Sequence, residues 1–284
     1  MNRVPPAIDR GRWRHQINIQ TKYSPESPLF AAVNAPQSKV PEIILSFWVI
    51  KIAATTLGET GGDTLSMSLH LGYAASSAIF FALFLVCVTA QLRAQEFHPW
   101  LYWPAVVATT LVGTTMADFA DRSLGIGYAG GSTLLFAAVL VVLATWRVAS
   151  GSISASAITS TKDEAFYWAT ILASNTLGTA LGDLVSDGLG FGFAGGALFF
   201  SALILVTAII YRFTSASRAV LFWAAFILTR PLGATLGDLL TKPVTHGGFD
   251  LSRPDSSGLI ALFMAACILA LPQRAGIHPG ERLR

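Results

Sequence analysis

Charge is what this sequence has least of. Asp, Glu, Lys and Arg make up 12% of its 284 residues, against roughly 25% in soluble domains. Hydrophobic residues reach 53% and the mean hydropathy is +0.57. Those values exclude a soluble domain and point to an integral membrane protein. Cysteine is scarce too. Cys87 and Cys267 both lie in apolar runs, where thiols behave as small hydrophobes. They imply neither a disulfide framework nor a zinc site. No nucleotide-binding loop and no stretch long enough for a soluble ATPase domain is present, so no cofactor is expected. Nor is there a nucleophile–base pair or a metalloprotease motif, so the chain does not read as an enzyme. A net charge of +3 resembles a nucleic-acid or anionic-lipid signal but is better explained by basic residues retained on the cytoplasmic side.

What is there is a succession of apolar segments. Residues 1–40 are polar, basic and Pro-punctuated, and contain no apolar core of a signal peptide; they read as a disordered cytoplasmic tail. Eight apolar segments follow, near 42–66, 73–92, 99–120, 127–146, 164–186, 192–211, 219–241 and 257–271. Most approach the roughly 20 residues a helix needs to cross ~30 Å of hydrocarbon. Residues 41–272 thus form an eight-helix membrane domain, with 273–284 as a second cytoplasmic tail. The tails and the loops on their side carry fourteen Lys/Arg, and the opposite loops carry only Arg122, Lys242 and Arg253. By the positive-inside rule both termini belong in the cytoplasm.

The chain is also repetitive. When Trp48, Trp103, Trp168 and Trp223 are aligned, Gly58, Gly113, Gly178 and Gly233 coincide without gaps. So do Asp63, Asp118, Asp183 and Asp238, fifteen residues beyond each Trp. Four residues before each Asp stand Glu59, Thr114, Thr179 and Ala234; four further back stand Thr55, Thr110, Asn175 and Arg230. Four repeats result, about 42–95, 97–150, 162–214 and 217–272, each expected to be a two-helix hairpin. An even number of spans keeps all repeats the same way up, so they are parallel and related by an axis along the membrane normal.

Four tandem two-helix repeats, each with a Trp and a Thr/Gly/acidic signature, resemble a bacterial inner-membrane protein family catalogued as a repeat of unknown function. The resemblance implies a topology and a bacterial inner (plasma) membrane location, and no mechanism. Separately, Glu59-Thr-Gly-Gly-Asp63 is loosely similar to the Glu-x-Gly-Asp signature of manganese/calcium–proton exchangers. It departs from that signature by one extra residue between the acids and by lacking a basic residue after Asp63.

On a helix, Lys51, Thr55, Glu59 and Asp63 share one face. An ionised Asp at mid-span costs about 2.5–3.5 kcal/mol on insertion scales, so Glu59 and the four repeat Asp must face one another, a partner or water. Gly58, Gly62, Gly113, Gly178, Gly182, Gly233 and Gly237 form small-residue stripes suited to close helix packing. Lys51 stands near enough to the inner surface to snorkel. Arg230, deeper, is expected to pair with Asp238 or Glu59. With only these two bases counted, five acids leave a charge of −3. Asp121 and Asp187 read as rim residues, and the aromatic residues as core or interfacial belt.

Carboxylates without His or Cys suit Mg²⁺, Ca²⁺ or Mn²⁺. The expected function is therefore a secondary transporter that exports a divalent cation in exchange for protons. Glu59, Asp63, Asp118, Asp183 and Asp238 would be the metal ligands, with Thr55, Thr114, Asn175, Thr179, Lys51 and Arg230 in support. Glu59, the one acidic residue at its offset, is the expected coupling residue. Two alternatives stand beside this reading: a transporter of a small organic or amine substrate, and a non-transporting scaffold or sensor. The expected partners are membrane lipid, the transported cation and the proton. Monomer and homodimer are both left open.

Overall fold

Each repeat begins with a helix whose polar stripe and glycines share one side, and continues with a helix that is apolar all round. A computed structural model describes residues 39–153, 155, 158 and 160–276; the tail expected at 1–40 and the last residues of the C-terminal tail lie almost wholly outside them. The first helices are α1 (Leu45–Asp63), α3 (Pro99–Asp118), α5 (Thr161–Asp183) and α7 (Arg218–Thr241). The second helices are α2 (Gly72–Arg93), α4 (Tyr128–Ser150), α6 (Gly192–Phe213) and α8 (Arg253–Ala270). The protein is an all-α membrane protein of four parallel two-helix repeats.

The first helices form a closed inner ring, α1 against α3, α3 against α5, α5 against α7 and α7 against α1. The second helices lie outside it, and their pairing differs from the expected hairpins. Each packs on the first helix of the next repeat: α2 on α3, α4 on α5, α6 on α7, and α8 back on α1. The connection between the two helices of a repeat accounts for this. At each of the first three repeat Asp the chain enters a five-residue π-helical turn, Thr64–Ser68, Phe119–Ser123 or Leu184–Gly188. It then passes a glycine at positive φ, Gly72, Gly127 or Gly192, which carries it sideways to the neighbouring repeat. Two residues earlier Gly125 and Gly190 also hold positive φ, and in the first repeat His70 takes that left-handed position at 56°.

The fourth repeat turns differently. Residues after α7 fold back along its end, with Phe249 N donating to Leu239 O and Asp250 N to Lys242 O. The helix α8 starts at Arg253, four residues before the expected apolar segment, because Ser252 accepts from Asp255 N and a proline occupies the first turn. A polar first turn is invisible to hydropathy. Ser257 of that turn donates to Thr60 and docks α8 on α1.

Inner and outer helices meet different solvents. In the most apolar window, 17–22% of residues are buried for α2, α4, α6 and α8, but 61% for α7. These five are long and apolar enough to cross a membrane by themselves. The inner helices α1, α3 and α5 fall short of that mark because their polar residues face the ring, where lipid never reaches them.

Glycine closes the ring with cyclic regularity. A Cβ on Gly58 would meet Thr110, on Gly113 the backbone of Asn175, on Gly178 Arg230, and on Gly233 Thr55. Each repeat thus touches the next at one offset, and the fourth touches the first. Gly62 meets Thr114, Gly182 meets Ala234 and Gly237 meets Glu59 in the same rotation. The close approach lets side chains reach neighbouring carbonyls: Thr110 donates to Ala54 O, Thr114 to Gly58 O and Thr55 to Thr229 O. In lipid such bonds average about 0.6 kcal/mol each; they fix register more than they drive association. Gly233→Ala, which pushes a methyl into Thr55 with that residue's backbone carbon at 2.8 Å, should lower stability by about 2 kcal/mol. Gly258→Ala on α8, where the Cβ meets open space, should be neutral or stabilise by up to ~1 kcal/mol. Thermal unfolding in detergent distinguishes the two, and equal effects would contradict the ring.

Candidate functional site: an axial stack of charged layers

Because the repeats are related by rotation, equivalent residues fall into layers along the axis. At the end bearing the termini, Phe47 packs on Trp103, Tyr102 on Trp168, Tyr167 on Trp223 and Phe222 on Trp48, with ring centroids 5.6–6.0 Å apart. As expected of core residues, Phe47, Tyr102, Trp103, Tyr167, Trp168 and Trp223 are buried, and with Trp48 and Phe222 they form an aromatic ring that closes the inner helices at that end. On its terminal side, Lys39 pairs with buried Glu164 at 2.8 Å, and Pro41 and Ala275 form an antiparallel bridge joining the two terminal segments.

The next layer holds Lys51 and Phe226. Lys51 does not snorkel. It is fully buried, its Nζ donates to Asn175 Oδ1 at 3.2 Å, and it lies 4.0 Å from the centre of the Phe226 ring. The aromatic ring blocks its route to the membrane surface. Asn175 is held in turn, with its amide donating to Thr109 Oγ1 at 2.8 Å.

Arg230 occupies the middle of the stack and has no exposed surface. It reaches across to Glu59 at 3.1 Å and donates to Thr114 and to Thr179. The partner is therefore Glu59 and not Asp238. The Thr114 hydroxyl lies 3.3 Å from Glu59 as well, which makes the carboxylate its alternative acceptor to Gly58 O. Four helices are tied at this level, with Glu59 from α1, Thr114 from α3, Thr179 from α5 and Arg230 from α7.

One turn further lie Asp63, Asp118, Asp183 and Asp238, only 1–2% exposed. They do not stand as four equivalent ligands. Arg122 bridges Asp118 at 3.1 Å and Asp183 at 3.2 Å. Lys242 bridges Asp63 at 2.9 Å and Asp238 at 3.0 Å, and Arg253 adds a contact to Asp63 at 3.4 Å. Fourfold repetition is thus reduced to two pairs. Carboxylate oxygens of Glu59, Asp63 and Asp238 lie within 4.8 Å of one another, so the Lys242 pair joins Glu59 in a three-carboxylate cluster. One oxygen of Asp63, Oδ1, is buried without a hydrogen-bond partner. The Arg122 pair is not part of that cluster.

Arg122, Lys242 and Arg253 were counted in the sequence only as loop charges. A signal was available: aligned repeats place Met67, Arg122, Asp187 and Lys242 four residues after each Asp, and bases at alternate repeats can each serve two acids. Their inclusion overturns the charge of −3. Five acids now stand with five bases, of which Arg122, Arg230, Lys242 and Arg253 pair with them while Lys51 bonds to Asn175, and the formal charges balance. Asp121 is not a rim residue either. It is buried against Gly131, at the offset where Ser66, Ser186 and Thr241 donate to the carbonyls of Gly62, Gly182 and Gly237. Asp187 is exposed, as a rim residue would be.

No curated protein and no solved structure matches the chain. A family model does, four times in succession, over residues 46–97, 101–152, 166–217 and 221–272. Those are the units that the aligned Trp, Gly and Asp define, and the chain belongs to the Repeat of Unknown Function (DUF347) family.

Proposed function

We propose that the protein is a secondary transporter that exports a divalent cation of the Mn, Mg or Ca kind in exchange for protons. The observation that carries this reading is the buried cluster of Glu59, Asp63 and Asp238, whose oxygens lie within 4.8 Å of one another on the axis. Hard oxygen donors at that spacing suit such ions, which take ligands at about 2.0–2.6 Å. Ring packing favours an ion over an organic substrate. Glycines set at the inner interfaces leave so little space that one added carbon at most of them collides with a neighbour. In the proposed cycle, Glu59 and Asp63 hold the cation when ionised and release it when protonated.

The orientation proposed is cytoplasmic termini in a bacterial inner membrane. It rests on fourteen Lys/Arg at the terminal side against three opposite, all three of which are engaged with Asp. We therefore place the aromatic seal at the cytoplasmic mouth and the Asp layer toward the outside.

One observation favours a second reading. A stack in which five buried acids are paired with Arg122, Arg230, Lys242 and Arg253 is also what a non-transporting scaffold would use to lock helices together. Purified protein separates the two. If the transporter reading holds, Mn²⁺ at about 100 times its Kd should stabilise the fold by ~2.7 kcal/mol, and Asp63→Asn should remove most of that gain. A melting temperature indifferent to Mn²⁺, Mg²⁺ and Ca²⁺ favours the scaffold.

A further inference from the structure

The two bridged Asp pairs look alike in outline but are built from different bases, and only one of them adjoins Glu59. From this difference we infer that Lys242 is a tethered cation that closes the outer mouth and is displaced by the transported cation. The inference rests on the transporter reading and names the gate of that same site.

The argument starts from position. The Lys242 ammonium lies 2.9 Å from Asp63 Oδ2 and 3.0 Å from Asp238 Oδ1, on two residues of the three-carboxylate cluster. A divalent cation drawing on both Asp63 and Asp238 needs the space and the negative charge that the ammonium now uses. An ammonium and a metal ion a few ångströms apart repel strongly in a site closed to water. Occupation by one therefore excludes the other.

The identity of the bases sorts the two pairs. Arg122 presents a planar fork, with Nε to Asp118 and Nη2 to Asp183, a geometry that holds two carboxylates in fixed relation. Lysine offers a compact charge on a flexible stem, which can leave without breaking a directional pair. Of the two bases that each bridge a pair of Asp, the fork stands on the pair outside the cluster and the flexible ammonium on the pair within it, where Arg230 also holds Glu59 and Arg253 touches Asp63.

Lys242 also has somewhere to go. Its side chain is 13% exposed, so rotation of the flexible stem can turn the head outward to water. It sits just past the end of α7, where the chain turns back through residues with positive φ at Gly247 and Asp250. Withdrawal needs rotation of one side chain and no break in the ring. Arg253, 24% exposed, rests on the same Asp63 oxygen from the first turn of α8 and is displaced with it. A cation arriving from the cytoplasmic side would thus open the outer mouth by taking the carboxylates from Lys242. After the cation departs, the ammonium returns and closes it.

Two measurements test this on the full-length protein, with Mn²⁺ as the probe. In wild-type protein, modification of Lys242 by a membrane-impermeant amine reagent, read by mass spectrometry, should rise several-fold when Mn²⁺ is saturating. In Lys242→Gln, Mn²⁺ should bind about tenfold more tightly by calorimetry, because a competing positive charge is gone. Wild-type binding of Mn²⁺ with unchanged or reduced labelling of Lys242 overturns the gate and leaves the transporter reading standing. Unchanged or weaker affinity in folded Lys242→Gln does the same; should that variant not fold, the labelling experiment decides. Absence of Mn²⁺ binding in wild-type protein overturns both.

Discussion

Arg230→Met should be the most damaging single substitution in the molecule, costing about 3–5 kcal/mol. The guanidinium has no exposed surface and ties four helices at one level through Glu59, Thr114 and Thr179. Its removal leaves the Glu59 carboxylate buried with Thr114 as its remaining side-chain donor. Pairing it with Glu59→Met should recover much of the loss, because the cost of breaking a buried ion pair lies mainly in the charge left behind. Thermal unfolding of the two single variants and the double variant measures this coupling directly. Independent, additive losses would show that Arg230 and Glu59 do not act as a pair.

Glu59→Gln should have the largest effect on activity, with a loss of stability smaller than that of Arg230→Met because the amide still accepts from the guanidinium. The amide keeps the shape of the side chain and an oxygen to accept from Arg230, 3.1 Å away in the native pair. What it loses is ionisation. In the proposed cycle that loss fixes the site in its protonated form, so Mn²⁺ flux should fall to the level of protein-free liposomes. Glu59 is singled out by position, since its repeat equivalents are Thr114, Thr179 and Ala234. It is also the carboxylate joined both to Arg230 at mid-stack and to the cluster of Asp63 and Asp238.

Much of this architecture was legible before any coordinates. Aligned Trp, Gly and Asp gave four repeats, and rotation about one axis carried the Asp to one level. The glycine stripes announced close packing, and the Gly58-to-Thr110 and Gly233-to-Thr55 contacts are its outcome. Pairing of the outer helices was not legible, because α2 is equally apolar toward α1 and α3; the π-helical turn that redirects it is set by geometry at Asp63. The burial of Lys51 is not legible in the sequence for a related reason. Distance along the helix places it near a surface, but the aromatic ring formed by Phe47, Trp103 and their counterparts lies between it and water. The bases Arg122, Lys242 and Arg253 were visible and were counted for topology alone. Hydropathy assigns them to loops, and only the turn after each Asp brings them back over the carboxylates.

Coupling of cation movement to protons by the axial carboxylates is decided by Mn²⁺ flux in proteoliposomes under an imposed pH gradient. The account predicts that Mn²⁺ moves into the more acidic compartment as protons leave it, that collapsing the gradient stops accumulation, and that Glu59→Gln shows neither. Wild-type liposomes that move no Mn²⁺, or Glu59→Gln liposomes that still accumulate it in response to the gradient, would contradict the account.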